Sequence, residues 1–312
     1  IGYKHMSFAR KVKEELLDQT GKTKHCQVAE LAAIFAFCGQ IIMEEDGNYV
    51  VRITTENLTV FKKCYMLVKK AFRIVPEISV RGHLYSMYLV DDEDALAFMK
   101  GICVMDGAIL VPEQLVRRLC CQRSFLRGLF LATGSITDPN SGYHLELNIG
   151  KKSCAEQVQK MLAVFDLDAK LIERKKNFVV YLKDGSAIVD FLNIIGAHVA
   201  LMEFENIRIL KDMRNSINRK VNCETANIKK TVSAASRQVE DIQYIHDTVG
   251  FGNLSANLVQ IAQLRLEHPE VTLKELGEML EPPIGKSGVN HRLRRLSELA
   301  DDLRRQDGGK DE

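Results

Sequence analysis

The residues best suited to chemistry stand near the end of the chain. They are Lys286, Ser287, Asn290, His291, Arg292, Arg294 and Arg295, in the string Lys-Ser-Gly-Val-Asn-His-Arg-Leu-Arg-Arg-Leu. An arginine fork bonds two acceptors of guanine, and an asparagine amide does the same for adenine. Lysine and arginine also neutralise phosphates and release their counterions. Val289, Leu293, Leu296 and Leu303 recur between them at helical spacing. The stretch therefore predicts a helix with one apolar stripe, and with Asn290, His291, Arg292, Arg294 and Arg295 turned to solvent. Lys274, in the preceding segment, joins them as a candidate DNA contact. The competing reading is a three-helix protein-binding module whose basic face only keeps it dissolved.

The elements that must hold this helix are legible just before it. Asn257–Glu267 predicts a helix with apolar positions at Leu258, Ile261, Ala262 and Leu264–Leu266, ended by His268-Pro269. Thr272-Leu-Lys-Glu275 has the spacing of a capping box, so a second helix opens there and runs to Leu280. Glu281–Gly285 is a turn, and Ser287 is expected to cap the third helix, which runs to about Arg305. Three helices with a turn between the last two make a helix-turn-helix plan, expected over 240–306. Residues Ile207–Gln238 hold eight basic residues against Asp212 and Glu224, a net of +6, and are rich in asparagine. They are expected to form one or two polar linker helices over 206–239. Arg214, Arg219, Lys220, Lys229 and Lys230 are their candidate phosphate contacts; a solvated spacer is the plain alternative.

Residues 6–205 read as a duplication. Gly39 and Gly134 close two similar helices, 95 residues apart; Met66-Leu67 and Met161-Leu162 are also 95 apart, and Tyr88-Leu89 and Tyr181-Leu182 are 93 apart. Helical and strand patterns follow the order αββαββα in each half, about 25–105 and 120–200. The fold class expected is α+β, with each sheet covered on one face by helices. The paired helices, Glu30–Gly39 (E-L-A-A-I-F-A-F-C-G) and Ser124–Gly134 (S-F-L-R-G-L-F-L-A-T-G), resemble the LAGLIDADG motif of homing endonucleases. In that family an acid before each final glycine holds a divalent metal. Here those positions are Cys38 and Thr133, and neither suits Mg²⁺, which takes hard oxygen ligands. Asp46 and Asp138 lie nearby without spacing that brings them to the pseudo-twofold axis expected between the two halves. No catalytic residue, cofactor or metal is expected. The open sheet faces offer Arg52, Arg81, Lys151, Lys152, Lys175, Lys176 and Lys183 as further contacts, opposed by acidic runs at Glu44–Asp46 and Asp91–Asp94.

Composition excludes several classes. The 312 residues are 46% hydrophobic and 27% charged, with a net charge of +2, as in globular proteins. No run of about 18 apolar residues predicts a membrane span, and no secretory signal is apparent. Met6-Ser7-Phe8 reads as a start, with Ile1–His5 set aside. Eight cysteines at 26, 38, 64, 103, 120, 121, 154 and 223 include no Cys-x-x-Cys pair. The absence of such a pair argues against a zinc site of the usual spacing, and the thiols are expected to be reduced in a cytoplasm. Cys120-Cys121 read as the core of a helix start.

Taken together, the strings Met6-Ser-Phe, E-L-A-A-I-F, F-L-R-G-L-F-L-A-T-G-S, Gly142–Leu147 (G-Y-H-L-E-L) and Glu281–Leu296 (E-P-P-I-G-K-S-G-V-N-H-R-L-R-R-L) make the chain similar to the WhiA family of bacterial proteins. The resemblance runs over nearly the whole length. It implies a sequence-specific DNA-binding regulator, linked to cell division and chromosome segregation and, in some relatives, to sporulation. It also implies an endonuclease fold kept without the activity. Double-stranded DNA is the expected partner, with another transcription regulator or RNA polymerase as a protein partner and a nucleoid-associated location. The internal duplication removes one reason to dimerise, so a monomer is expected. The alternatives are a metal-dependent LAGLIDADG-type nuclease and a division-machinery scaffold with incidental DNA binding.

Overall fold

A computed structural model describes residues 6–103 and 113–308. The chain divides between Asp212 and Met213 into two compact units. The N-terminal unit opens with α1 (Phe8–Asp18), capped by the Ser7 hydroxyl, which accepts from Arg10 N at 3.3 Å. Each half then runs helix, hairpin, helix, hairpin, helix. In the first half these are α2 (Lys24–Cys38), β1 (Gly39–Met43), β2 (Tyr49–Thr55), α3 (Leu58–Phe72), β3 (Glu77–Arg81), β4 (Leu84–Leu89) and α4 (Asp92–Gly101). In the second they are α5 (Leu119–Thr133), β5 (Gly134–Ile136), β6 (Leu145–Ile149), α6 (Lys152–Ala163), β7 (Lys170–Arg174), β8 (Asn177–Leu182) and α7 (Gly185–Ile195). The antiparallel sheets have equivalent orders, β1-β2-β4-β3 and β5-β6-β8-β7. The Tyr-Leu repeat extends to an aspartate in both halves, Asp91 and Asp184. Each copy ends a strand and caps the next helix: Asp91 accepts from Asp94 N at 3.0 Å, and Asp184 from Ala187 N at 2.9 Å.

The motif helices α2 and α5 lie at the centre. α2 is buried continuously from Val28 to Phe35, as expected of a helix apolar all round. Close approach depends on Gly128, where a Cβ would stand 2.2 Å from Glu30 O. Beneath this contact lies an ion cluster that no local pattern announces. Glu30 and Lys63 are both fully buried, with Lys63 Nζ 3.0 Å and Arg127 Nη1 3.2 Å from the Glu30 carboxylate. Lys63 Nζ also donates to Leu16 O at 2.9 Å and Gln19 O at 2.5 Å, gathering the end of α1 onto α2 and α3. Arg127 Nε donates to Ile195 O at 2.6 Å, and Arg123 Nε to Ile194 O at 3.0 Å. Those bonds satisfy carbonyls at the end of α7.

The stretch expected as one or two linker helices is the middle of a single 52-residue helix, α8 (His198–Val249). With no proline or glycine in its interior, nothing in the sequence interrupts it. The C-terminal unit continues with α9 (Ala256–Glu267), α10 (Leu273–Glu278) and α11 (Lys286–Gly308). Its core joins Ile242 and Ile245 of α8 to Ile261, Ala262, Leu276, Leu280, Val289, Leu293, Leu296 and Ala300. The end of α8 is thus a fourth helix of this unit, beyond the three expected.

Candidate nucleic-acid interface

The candidate interface is built on α11. Gly285 O accepts from Gly288 N at 2.9 Å and Val289 N at 3.2 Å, so Gly285 occupies the capping position. Ser287 therefore lies inside the first turn and is not the cap expected of it. Val289, Leu293, Leu296 and Ala300 face the core. By helical spacing the opposite face carries Ser287, His291, Arg294, Arg295 and Glu298, all exposed, with Asn290 exposed on one flank. Arg292 departs from expectation. It is half-buried on the other flank, lining an open groove of ≈490 Å³ with Ser255, Asn257 and Leu258 at the start of α9. Arg294 Nε lies 3.1 Å and Arg295 Nη1 3.8 Å from the Glu298 carboxylate. Such exposed pairs stabilise by well under about 1 kcal/mol, so both guanidinia are readily released to another anion. Lys286 is exposed at the first position of α11, and Lys274 is exposed on α10, 3.8 Å from Glu278.

Several residues outside this set position it. The Thr272–Glu275 capping box is fully formed: Thr272 N donates to Glu275 Oε2 at 2.9 Å, and Glu275 N to Thr272 Oγ1 at 3.4 Å. Gly277 lets the turn pass close over α10; a Cβ there would meet Ile284 O at 2.2 Å. Arg265, which falls within the apolar run expected of α9, is 2% exposed, while Leu264 and Leu266 are only half-buried. Its guanidinium donates to Val271 O at 2.8 Å and Pro269 O at 3.3 Å, tying α9 to the start of α10. Asp241, 1% exposed, holds Arg304 at 2.7 Å, and Arg304 lies 4.9 Å from the Tyr244 ring centroid. That ion pair fixes the far end of α11 against α8. A heptad-like apolar pattern can be read from sequence, but a charged residue turned inward within it has no such signal.

Arg214, Arg219, Lys220, Lys229 and Lys230 are all exposed along α8. The same segment is less uniformly polar than expected, for Met213, Ile217, Val221, Ile228 and Val232 are exposed along one face at helical spacing.

In the N-terminal unit the two acid positions of the nuclease motif carry no carboxylate. Cys38 is half-buried, and burial pushes its thiol up to about 11, against the opposing influence of Lys13 and a hydrogen bond from Thr55. Thr133 Oγ1 donates to Leu129 O at 3.0 Å, folding its hydroxyl onto its own helix. Asp46 and Asp138 are turn residues, accepting from Asn48 N at 3.1 Å and Asn140 N at 2.8 Å.

The sheet candidates scatter. Arg52 and Arg81 share the open face of the first sheet with Gln40, Thr54, Ser86 and Tyr88, around a cavity of ≈590 Å³. Arg52 pairs in register with Tyr88; the matching partner of Tyr181 in the second sheet is Glu146. That carboxylate lies 3.3 Å from His144 and 4.0 Å from Arg174. An arginine at one sheet centre is thus matched by a glutamate at the other. Lys183 Nζ sits 5.2 Å from the Tyr181 ring centroid. Lys175 and Lys176 form the β7–β8 turn, and Lys151 and Lys152 stand at the start of α6, off the sheet. Among the described residues no helix is long and apolar enough to cross a membrane.

A duplicated α+β unit of LAGLIDADG type without its paired carboxylates, followed by a helix-turn-helix unit, defines the class of protein. The WhiA N-terminal LAGLIDADG-like domain matches residues 24–85, the WhiA LAGLIDADG-like domain 122–214 and the WhiA C-terminal HTH domain 217–300. The probable cell division protein WhiA of Lachnoclostridium phytofermentans is 47% identical over 96% of this chain and 100% of its own. That of Heliobacterium modesticaldum is 44% identical over 97% and 98%. The crystal structure of full-length DUF199/WhiA from Thermatoga maritima is 26% identical, with a TM-score of 0.57 over 95% of this chain and 98% of that one. The chain belongs to the WhiA family.

Proposed function

We propose that this protein is a sequence-specific DNA-binding regulator of transcription, acting in cell division and chromosome segregation, without nuclease activity. The observation that carries the reading is the outer face of α11, where Ser287, His291, Arg294 and Arg295 are exposed on a helix whose other face is sealed into the core. Helix-turn-helix proteins enter the major groove with the first half of that helix. Lys274, Lys286, Asn290 and Arg292 flank it, and Arg214, Arg219, Lys220, Lys229 and Lys230 on α8 supply phosphate contacts. Double-stranded DNA is the partner in this reading, with the nucleoid in the cytoplasm as the place of action. The name of the relatives, probable cell division protein, supports the division role. Cys38 and Thr133 support the absence of cleavage, since neither offers the hard oxygen that a Mg²⁺ centre requires.

The test is a genome-wide map of bound sites, followed by titration of one bound fragment at fixed salt. Arg294→Ala and Arg295→Ala weaken specific binding by about 1–3 kcal/mol where the side chain reads a base. Lys229→Ala weakens binding about equally on all sequences and flattens the salt dependence. Unchanged affinity in both arginine variants refutes the groove assignment, and Mg²⁺-dependent plasmid nicking refutes the loss of cleavage.

A further inference from the structure

At the ends of α2 and α5 remote from Cys38 and Thr133, the first turns of the two motif helices bring four ligand atoms together. Those of His25, Cys26, Cys120 and Cys121 all lie within 4.8 Å of one another. His25 Nδ1 is 3.2 Å from Cys121 Sγ and 3.4 Å from Cys26 Sγ. We propose that these four residues form a Cys3His site for Zn²⁺ that joins the two halves of the N-terminal unit.

Three independent features support it. With Zn–S near 2.3 Å and Zn–N near 2.0–2.1 Å, the ligand atoms of a tetrahedral Cys3His site sit about 3.5–3.8 Å apart, so the cluster is already close to a coordination shell. The ligand positions also obey the duplication. Gly39 and Gly134 close the motif helices 95 residues apart, and the same offset carries His25 onto Cys120 and Cys26 onto Cys121. Two positions repeated about a pseudo-twofold axis give four ligands, and a tetrahedron contains such an axis. Finally, neither helix has a side-chain cap, at Thr23 or at Arg118. Three thiolates around one divalent ion leave one net negative charge, which the N-terminal ends of two helices favour.

The spacing argument against zinc fails here because no single loop supplies the site. Cys26 and Cys121 are buried beside Ala29, and Cys120 is exposed, so the pair 120–121 is not simply core. Arg118 Nη1 lies 3.3 Å from His25 Nε2. With Nδ1 on the metal, Nε2 carries the ring proton, so this exposed guanidinium must swing off that atom while remaining near the anionic centre. Binding releases the thiol protons and should stabilise the folded unit.

The test uses the full chain, purified under reducing conditions without chelator, then exchanged into Co²⁺. The expected result is about one zinc per chain by mass spectrometry of the metal, and the visible bands of tetrahedral thiolate cobalt after exchange. Cys120→Ser, at an exposed position, loses the stoichiometric metal and those bands while keeping the wild-type circular dichroism. Cys103→Ser and Cys223→Ser, exposed cysteines elsewhere, keep both. A reduced wild-type chain that binds no zinc when incubated with the ion alone, with Cys120 open to a thiol reagent, overturns the proposal. So does a Cys120→Ser variant with unchanged metal content and cobalt spectrum.

Discussion

Replacing Gly128 by alanine probes the contact on which the N-terminal unit is built. The added methyl would stand 2.2 Å from Glu30 O and 3.0 Å from Ala33 Cβ. A carbon–oxygen contact settles at about 3.3 Å or more, so α2 and α5 must part locally by about 1 Å. Neither neighbour can give way alone, because both belong to α2, which is buried from Val28 to Phe35. Overpacking of this kind costs about 1–3 kcal/mol. The upper end is expected, since the same displacement stretches the 3.2 Å contact between Arg127 and the Glu30 carboxylate. Alanine returns about 1 kcal/mol of helix propensity over glycine, leaving about 2 kcal/mol of destabilisation. For a unit of this size that lowers Tm by roughly 4–8 °C. Scanning calorimetry of the full chain reads it directly, with Gly142→Ala as control because a Cβ there meets nothing within 4 Å. A Gly128→Ala transition within a degree or so of the control would refute the packing argument.

Two further outcomes follow from the polar contacts. Glu30→Gln leaves the buried Lys63 ammonium without its carboxylate and should cost about 3–5 kcal/mol, measured by urea unfolding. The double variant Glu30→Gln/Lys63→Met should recover much of that loss, and a single variant as stable as wild type would show that the pair is not charged. Thr272→Ala removes the capping hydroxyl of α10 and should cost about 1 kcal/mol. The Thr272 hydroxyl also holds Glu275 below its ordinary pKa. A depressed carboxyl stabilises above its unfolded value of about 4.3 and loses that contribution as pH falls through the lower folded one. The gap between the melting temperatures of Thr272→Ala and wild type should therefore narrow on acidification below about pH 4, leaving the pH-independent loss of the cap on Glu275 N, and a constant difference down to pH 3 would contradict the linkage.

What the sequence determined was the part governed by local periodicity and by repetition. The capping box at Thr272–Glu275, the stripe at Val289, Leu293 and Leu296, the glycines closing α2 and α5, and the 95-residue repeat all report nearest-neighbour physics. Each maps onto an element of the fold. The exposed face of α11 was legible for the same reason, since a helix with a known apolar stripe fixes where the other side chains point. Arg292 was the exception, because whether a flank residue is covered depends on α9 and not on α11.

Tertiary structure alone decided what lies between distant segments. Glu30, Lys63 and Arg127 are drawn into one buried cluster only where three helices meet around them, and Arg265 is an ionic group inside a run expected to be apolar, while Asp241 is buried only because Arg304 of α11 reaches it. The cluster at His25, Cys26, Cys120 and Cys121 was recoverable in principle, by applying the repeat's own offset to the cysteines. Spacing within one loop gave no sign of it, since its ligands come from two helices that meet only when the halves pack. Local pattern encodes the direction of a side chain from its own backbone; the partner that neutralises, buries or ligates it is set by which backbones come together.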